Sequence, residues 1–271
     1  MLVLVDGDIC AYRCAAAAEK FSVTIAVEWC NNLMEEILSA TGATSYKVFL
    51  SGPKETNFRY KVDPLYKDNR KDLIKPIYLN QTKEFLVTNW KAETTNGYEA
   101  DDALGMEQKE SGTCIASIDK DLLQVPGTHY NFVKKEFRTV TPDQGLKAFY
   151  TQTLVGDTSD GIIGIHGIGP VKAAKLLDPL LPEEYYNACR EQYNDDIRYH
   201  KNCRLLWIWR SPGDVWSYDK GVHRGCEDDK GKESSVQDWE HQPRDFDTHT
   251  TPDMPGFDSS GKVIPYFGID D

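Results

Sequence analysis

Leu2–Val5 is an unbroken apolar run, the pattern of a strand covered on both faces within a parallel sheet. Tyr46–Leu50 and Thr113–Ile118 read the same way. Between them lie longer stretches with helical spacing. Thr24–Ala40 places Ile25, Trp29, Leu33 and Ile37 on one side, and Pro76–Val87 follows. Strands alternating with helices predict an α/β core with a right-handed wind. Past Tyr130 the strand pattern fades, and the spacing predicts helices near 143–155, 169–177, 183–193 and 195–208. The expected architecture is a mostly parallel sheet flanked by helices over residues 1–140, followed by a helical subdomain over 141–210.

From Ser211 the pattern stops. Residues 211–271 are rich in Gly, Pro, Ser, Asp and Thr, with only isolated Trp216, Trp239, Phe246 and Phe257 before a short Val263–Ile269 run. They read as an irregular acidic tail. Charge sharpens this division. The chain of 271 residues carries a net −12. The tail holds 14 acidic and 6 basic side chains, whereas the first 210 residues hold 29 and 25. Local patches rather than the total decide a charged partner. No stretch approaches the roughly 20 apolar residues of a membrane span, and the opening MLVLV is too short for a secretory signal. Seven cysteines form no CxxC pair and read as reduced, buried thiols of a cytoplasmic protein.

Four acidic motifs carry the candidate chemistry: VDGD (Asp6, Asp8), YEADD (Glu99, Asp101, Asp102), SIDKD (Asp119, Asp121) and GDTSD (Asp157, Asp160). Three of them follow apolar runs. In open α/β sheets the ligand site lies beyond the carboxyl ends of the strands. Asp6 and Asp8 fall just past the first strand, and their i, i+2 spacing points both to one side there. Glu99 and Asp102 share a face if a helix starts at that point, as do Asp157 and Asp160 at the same spacing. Asp143, after Thr141-Pro142, reads instead as a turn former. So many converging anions repel unless hard cations bind among them. Ligation by oxygen alone suits Mg²⁺ or Mn²⁺ rather than zinc. A pair of such ions is a standard clamp for displacement at phosphorus.

Two further stretches face a polyanion. Gly164–Leu177, GIHGIGPVKAAKLL, has the form of a helix–hairpin–helix. Gly167 and Gly169 let the backbone approach a phosphate, and Pro170 suits the first helical position. The amides there face an anion, and Lys172 and Lys175 add sequence-independent charge. Ile165, Ile168, Val171, Leu176 and Leu177 are the expected apolar filling. The stretch from Arg59 to Lys75 is the most basic of the chain, with Lys61, Lys67, Arg70 and Lys71, and with Tyr60 and Tyr66 interleaved. Charge mixed with aromatics is how single-stranded nucleic acid is held.

Taken together, YKDNR, YEADD, SIDKDLLQ and GDTSDGIIGIHGIGPVKAAKLL resemble the flap endonuclease superfamily. The likeness runs over about residues 2–210 and is greatest to phage 5′–3′ exonucleases and the 5′-nuclease domain of bacterial DNA polymerase I. The resemblance implies a PIN-like α/β domain, a helix–three-turn–helix, and an arch at about 56–76 through which a 5′ strand passes. It implies two Mg²⁺ or Mn²⁺ ions held by Asp6, Glu99, Asp101, Asp102, Asp119, Asp121, Asp157 and Asp160, with Lys67 and Arg70 on the scissile phosphate. It also implies DNA contacts from Arg59, Lys61, Tyr66, Lys71, Gly167, Gly169, Lys172 and Lys175. The expected partner is duplex DNA with a 5′ end or flap, and the expected location the cytoplasm, a host's if the chain is a phage protein. Two positions depart from the family. Asp8 is an extra acid, and Ser51 stands where members place a further metal-site Asp.

Two other functions fit parts of the pattern. A haloacid-dehalogenase-type phosphatase would use Asp6 as nucleophile and Asp8 as acid/base, but leaves YEADD, SIDKD and the hairpin unused. A non-catalytic DNA binder would gain nothing from acids concentrated beside phosphates.

Overall fold

In a computed structural model, residues 1–217 are described; the expected tail beyond Ser217 lies outside them. Six strands form one sheet: β1 (Leu2–Asp6), β2 (Ser45–Leu50), β3 (Glu93–Thr94), β4 (Thr113–Ala116), β5 (Gly127–Asn131) and β6 (Glu136–Val140). Their order is β3-β2-β1-β4-β5-β6. All neighbours are parallel except β5 and β6. The chain thus winds outward from β1 to β3, then crosses to the other side of β1. The switch point between β1 and β4 is where the two directions of winding part, and where ligands settle in such sheets.

The helices are α1 (Gly7–Ala17), α2 (Val23–Thr41), the short α3 (Arg59–Val62), α4 (Leu79–Trp90), α5 (Ala100–Glu107), α6 (Pro142–Val155), α7 (Pro170–Leu177), α8 (Tyr185–Gln192) and α9 (Asp196–Leu206). Side chains alternate across the sheet. Val3, Val5, Val48, Leu50, Cys114 and Ala116 pack beneath α1, α2 and α4. Leu4, Phe49 and Ile115 face α5 and Ile208 on the other side. Most positions in these strands are therefore apolar, with exceptions such as Lys47 of β2, which pairs with Glu107.

The mostly parallel sheet flanked by helices is the expected one, with differences in detail. Helix α1 was not anticipated; its CAYRCAAA sequence has small side chains and no large apolar stripe. The β5–β6 hairpin was missed because Glu136–Thr139 are exposed and show no core face. In α2 the buried seam is Ala26, Cys30, Met34 and Ile37, one position round from the expected Ile25, Trp29 and Leu33, which flank it. Val171 is exposed, and Ala173 fills the hairpin in its place. Asp143 sits in the first turn of α6 behind the Thr141 cap, whose hydroxyl accepts from the Gln144 amide.

The expected break at Arg210 falls inside packed chain. Asp214 accepts from the Trp207 indole at 3.1 Å and the Arg210 amide at 3.0 Å. Trp216 is buried and lies over Tyr186, Tyr199 and His200. Residues 211–217 are therefore a strap over the helical core. Trp216→Ala should lower unfolding free energy by about 3–5 kcal/mol, as for a buried aromatic, readable in urea melts. A chain cut after Arg210 should fall at least as far.

Candidate active site

The site gathers at the carboxyl edge of the sheet. Asp6 ends β1 and starts α1: its Oδ1 accepts from the Ile9 amide at 3.1 Å, and its Oδ2 from the Ser117 hydroxyl at 2.7 Å. Ser117 follows β4, so this bond spans the switch point. The Ser117 hydroxyl also accepts from the Asp119 amide at 3.0 Å, and Asp119 from that of Asp121 at 2.8 Å. The turn after α6 supplies Asp157, which caps itself onto Ser159 and the Asp160 amide.

The acids divide into two electrostatic groups. Burial, reinforced by Asp8, pushes Asp6 up to about 7. Burial and then Asp119 and Asp6 push Asp101 well above the usual carboxylate range. Asp119 is raised by burial, and Asp121 by burial and its acidic neighbours. Asp157 is pulled down despite burial, by Ser159 and then by Asp121.

Glu99 and Asp160 behave differently, because the basic loop already answers them. Lys67 Nζ lies 2.6 Å from Glu99 Oε1 and 3.7 Å from Asp160 Oδ2, and Arg70 pairs with Asp160. The Tyr66 hydroxyl reaches Glu99 at 3.1 Å and Asp160 at 2.8 Å. Burial works against ionising Glu99, but Lys67 and Arg59 outweigh it and hold Glu99 at about 2. Burial would likewise lower Lys67; Asp160 and Glu99 raise it instead. The loop is tied down as a unit. The Lys67 amide donates to the Asp160 carbonyl at 3.0 Å, Asn69 to the Thr158 carbonyl at 2.8 Å and Arg70 Nε to that of Ser159 at 2.7 Å. Lys67 takes a left-handed φ of 57°, a strained conformation of the sort found where positioning matters.

Three expectations are corrected by these contacts. Asp102 is fully buried and spends its oxygens inside the protein. It accepts from Arg59 at 2.5 and 3.0 Å, the Glu99 amide at 3.0 Å and the Trp209 amide at 3.1 Å. It has no oxygen left for a metal. Arg59, its partner, also donates to the Leu205 and Trp207 carbonyls and is 3% exposed at its side chain, so it cannot reach DNA. Tyr66 is buried under the loop rather than offered for stacking. All three brace the site, joining the loop, α5 and the end of α9 with the residues just past it. Helical spacing sets Asp102, rather than Asp101, on the Glu99 face; the buried arginine takes Asp102 and leaves Asp101 to the acid cluster. Lys61, Lys71, Gly167, Gly169, Lys172 and Lys175 are exposed, with Gly167 at φ 77° and Pro170 opening α7.

Asp8 also departs from expectation. Because α1 begins at Gly7, Asp8 turns away from Asp6 toward β2. Ser51 puts its hydroxyl on the Ala100 amide.

Among the described residues no three His, Cys, Asp or Glu side chains close around a metal position, and Glu99 and Asp160 are held by cations. The donor chemistry nonetheless fits a hard divalent ion: the groups are all carboxylates, and several are pushed upward by burial and like-charged neighbours, a crowding that a divalent cation would relieve.

An α/β sheet with acids packed at its switch point and basic side chains clasping part of them defines the class. Residues 1–151 match the model of the 5′–3′ exonuclease N-terminal, resolvase-like domain, and the chain belongs to that family. DNA polymerase I of Bacillus caldotenax is 28% identical over 239 residues, covering 76% of this chain and 27% of the relative. A 5′–3′ exonuclease of Mycoplasma pneumoniae is 37% identical over 101 residues, 30% of this chain and 35% of the relative. The chain thus spans about a quarter of the polymerase's length. Among solved structures, the phage T5 D15 protein crystallised with metal ions shares the fold at a TM-score of 0.59. It is 18% identical, with 76% of this chain and 88% of the other covered. Among the described residues no helix is long and apolar enough to cross a membrane.

Two outcomes test this electrostatic reading. Arg59→Ala, which strands the buried Asp102, should cost about 3–5 kcal/mol in a urea melt, whereas Lys61→Ala should stay within about 0.5 kcal/mol. Asp6 keeps its proton in the fold to about pH 7 but loses it near 3.8 when unfolded. The folded state therefore binds more protons between those values, and stability contributed by Asp6 falls as pH rises through that window. Metal-free protein melted at pH 5 and pH 7.5 should show that slope, and Asp6→Asn should flatten it.

Proposed function

We propose that the chain is a divalent-metal-dependent 5′ nuclease that hydrolyses DNA phosphodiesters near a 5′ end or flap and leaves 5′-phosphate products. The observation that carries this reading is the division of charge: Lys67 and Arg70 pair with Glu99 and Asp160, beside Asp6, Asp101, Asp119 and Asp121, whose pKa values stay raised and which form no ion pair among the described residues. A phosphodiester arriving there meets two cations ready to exchange a carboxylate for a phosphate oxygen.

Asp6, Asp101, Asp119, Asp121 and Asp157 would hold divalent ions, Mg²⁺ or Mn²⁺, with Glu99 and Asp160 joining once their cations are drawn to phosphate. Two ions suit the number of acids. Bound there, the ions would polarise the phosphodiester and make a water more acidic. The protein's own part is orientation. Lys67 and Arg70, fixed by the strained turn and the Ser159 and Asp160 carbonyls, direct charge at the phosphorane as it forms. Gly167, Gly169, Lys172 and Lys175, on the far side of the GDTSD turn, would grip duplex backbone, and exposed Lys61 and Lys71 the 5′ strand. The fold shared with the T5 protein and the kinship to DNA polymerase I support the reading.

The phosphatase alternative suffers from Asp6 being buried and bonded through both oxygens, and from Asp8 facing away from it. Incubation with a 5′-flapped duplex and Mg²⁺ is the test, beside p-nitrophenyl phosphate and an Asp119→Ala/Asp121→Ala control. Duplex cleavage that EDTA and the double variant abolish is expected. Monoester hydrolysis alone, or binding without cleavage, would overturn the proposal.

Lys67→Ala and Arg70→Ala should each lower kcat by about 10²–10³, the cost of losing one preorganised transition-state donor. DNA affinity should change by less than about tenfold, since one phosphate contact among several is lost. Equal losses in both would refute the role given to these side chains.

A further inference from the structure

Asp8 and Ser51 are left unused by the mechanism above, yet both are built into the site's walls. Gly7 lies so close to β2 that a Cβ there would sit 2.7 Å from the Phe49 carbonyl. The first turn of α1 is thereby pressed onto the end of β2, and Asp8 Oδ2 accepts from the Ser51 amide at 2.8 Å. Ser51 Oγ in turn accepts from the Ala100 amide at 2.9 Å. Ala100 is the first residue of α5, flanked by Glu99 and Asp101. On the other side of Asp8, Lys83 of α4 lies 2.7 Å from its Oδ1. The next residue along is wedged too: the Gly52 amide donates to the Thr95 hydroxyl at 3.1 Å.

We propose that Asp8 is a positioning residue: through the amide and then the hydroxyl of Ser51 it fixes the start of α5, and so sets Asp101 and Glu99 against Asp6. Each link has a physical reason. An amide at the end of a strand and an amide at the start of a helix both lack backbone partners. A charged acceptor gives the stronger bond, and Lys83 offsets its charge and holds it toward Ser51 instead of the acid cluster. Asp8 makes no hydrogen bond to Glu99 or Asp101; it reaches the start of α5 through Ser51. A relay of two hydrogen bonds also explains why Ser51 is no metal ligand: its oxygen is turned to the Ala100 amide. The inference rests on the nuclease reading for its kinetic arm only.

The experiment compares Asp8→Ala, Asp8→Asn, Ser51→Ala and Lys83→Met for kcat and KM on a flapped duplex. Mn²⁺ affinity is read by electron paramagnetic resonance without DNA, and folding by thermal melts. Asp8→Ala should lower kcat about tenfold, the scale of one lost hydrogen bond, and weaken Mn²⁺ by a similar factor. KM should move by less than about twofold, because the relay carries no substrate contact. Asp8→Asn keeps an oxygen for the Ser51 amide and should recover most of both losses. Ser51→Ala should reproduce the Asp8→Ala defect, and the double variant should be no worse than either alone. Lys83→Met should fall in the same direction by less. Wild-type kcat and Mn²⁺ affinity in Asp8→Ala would overturn the proposal. So would an Asp8→Asn variant as impaired as Asp8→Ala, since charge rather than the hydrogen bond would then matter. If Asp8→Ala fails to fold, Ser51→Ala against Asp8→Asn decides the same point. A wild-type protein that cuts no duplex defeats the nuclease reading, while the Mn²⁺ series still tests Asp8.

Discussion

Repulsion among carboxylates crowded at the β1–β4 switch point is the constraint on which the rest depends. Asp6, Asp101, Asp119 and Asp121 are all pushed toward protonation, mainly by burial. Nothing in folding alone favours such a cluster, because each acid loses hydration and gains like-charged neighbours. The scaffold must therefore hold it in place by force, through packing and hydrogen bonds that do not depend on the acids being comfortable.

That holding is visible in the surroundings. Strands β1, β2 and β4 are covered on both faces, so their carboxyl ends are rigid anchors for Asp6 and the 117–121 turn. Helix α5, which carries Asp101, is fixed at its start by Ser51 and by the Arg59–Asp102 pair. The same arginine takes carbonyls of Leu205 and Trp207, tying the helical part and the sheet to one another beneath the acids. A buried ion pair of this kind is weak evidence for net stability but strong evidence for a fixed geometry, since losing either partner leaves a charge stranded. The strap through Trp216 closes the far side of that connection.

Much of this was legible in the chain. Both-face burial made β1, β2 and β4 readable as apolar runs, and helical spacing found α2, α4 and α6 through α9 to within a few residues. Helix α1 and the β5–β6 hairpin were not readable, because small side chains in one and an exposed edge in the other carry no apolar rhythm. At the site, Asp6 ends β1, Asp119 and Asp121 lie in the turn after β4, and Asp157 and Asp160 in the turn after α6. What spacing could not tell is the direction of neighbouring acids. Asp101 and Asp102 differ by about 100° around α5, and a residue 43 positions earlier, Arg59, takes one and leaves the other. Asp8 was misjudged for a related reason: strand alternation would aim it with Asp6, but the helix that starts at Gly7 turns it outward. Trp216 looked like isolated punctuation because its partners, Tyr186 and Tyr199, lie in other helices.

The same division of charge resolves how an acidic chain can serve a polyanion. A net of −12 describes the average, and the average is not what a phosphate meets. At the site Lys67 and Arg70 are bound to Glu99 and Asp160, beside half-buried Asp101, Asp119 and Asp121, and an anion within a Debye length meets those cations. The acids then act in the opposite sense. On the proposed reading, cations that turn to phosphate would leave carboxylates uncompensated and open to divalent ions. Phosphate and metal binding would then be linked through one set of ion pairs, and linkage of this kind is reciprocal. Separate acidic and basic patches could bind the two ligands independently; interlocked ones make each favour the other.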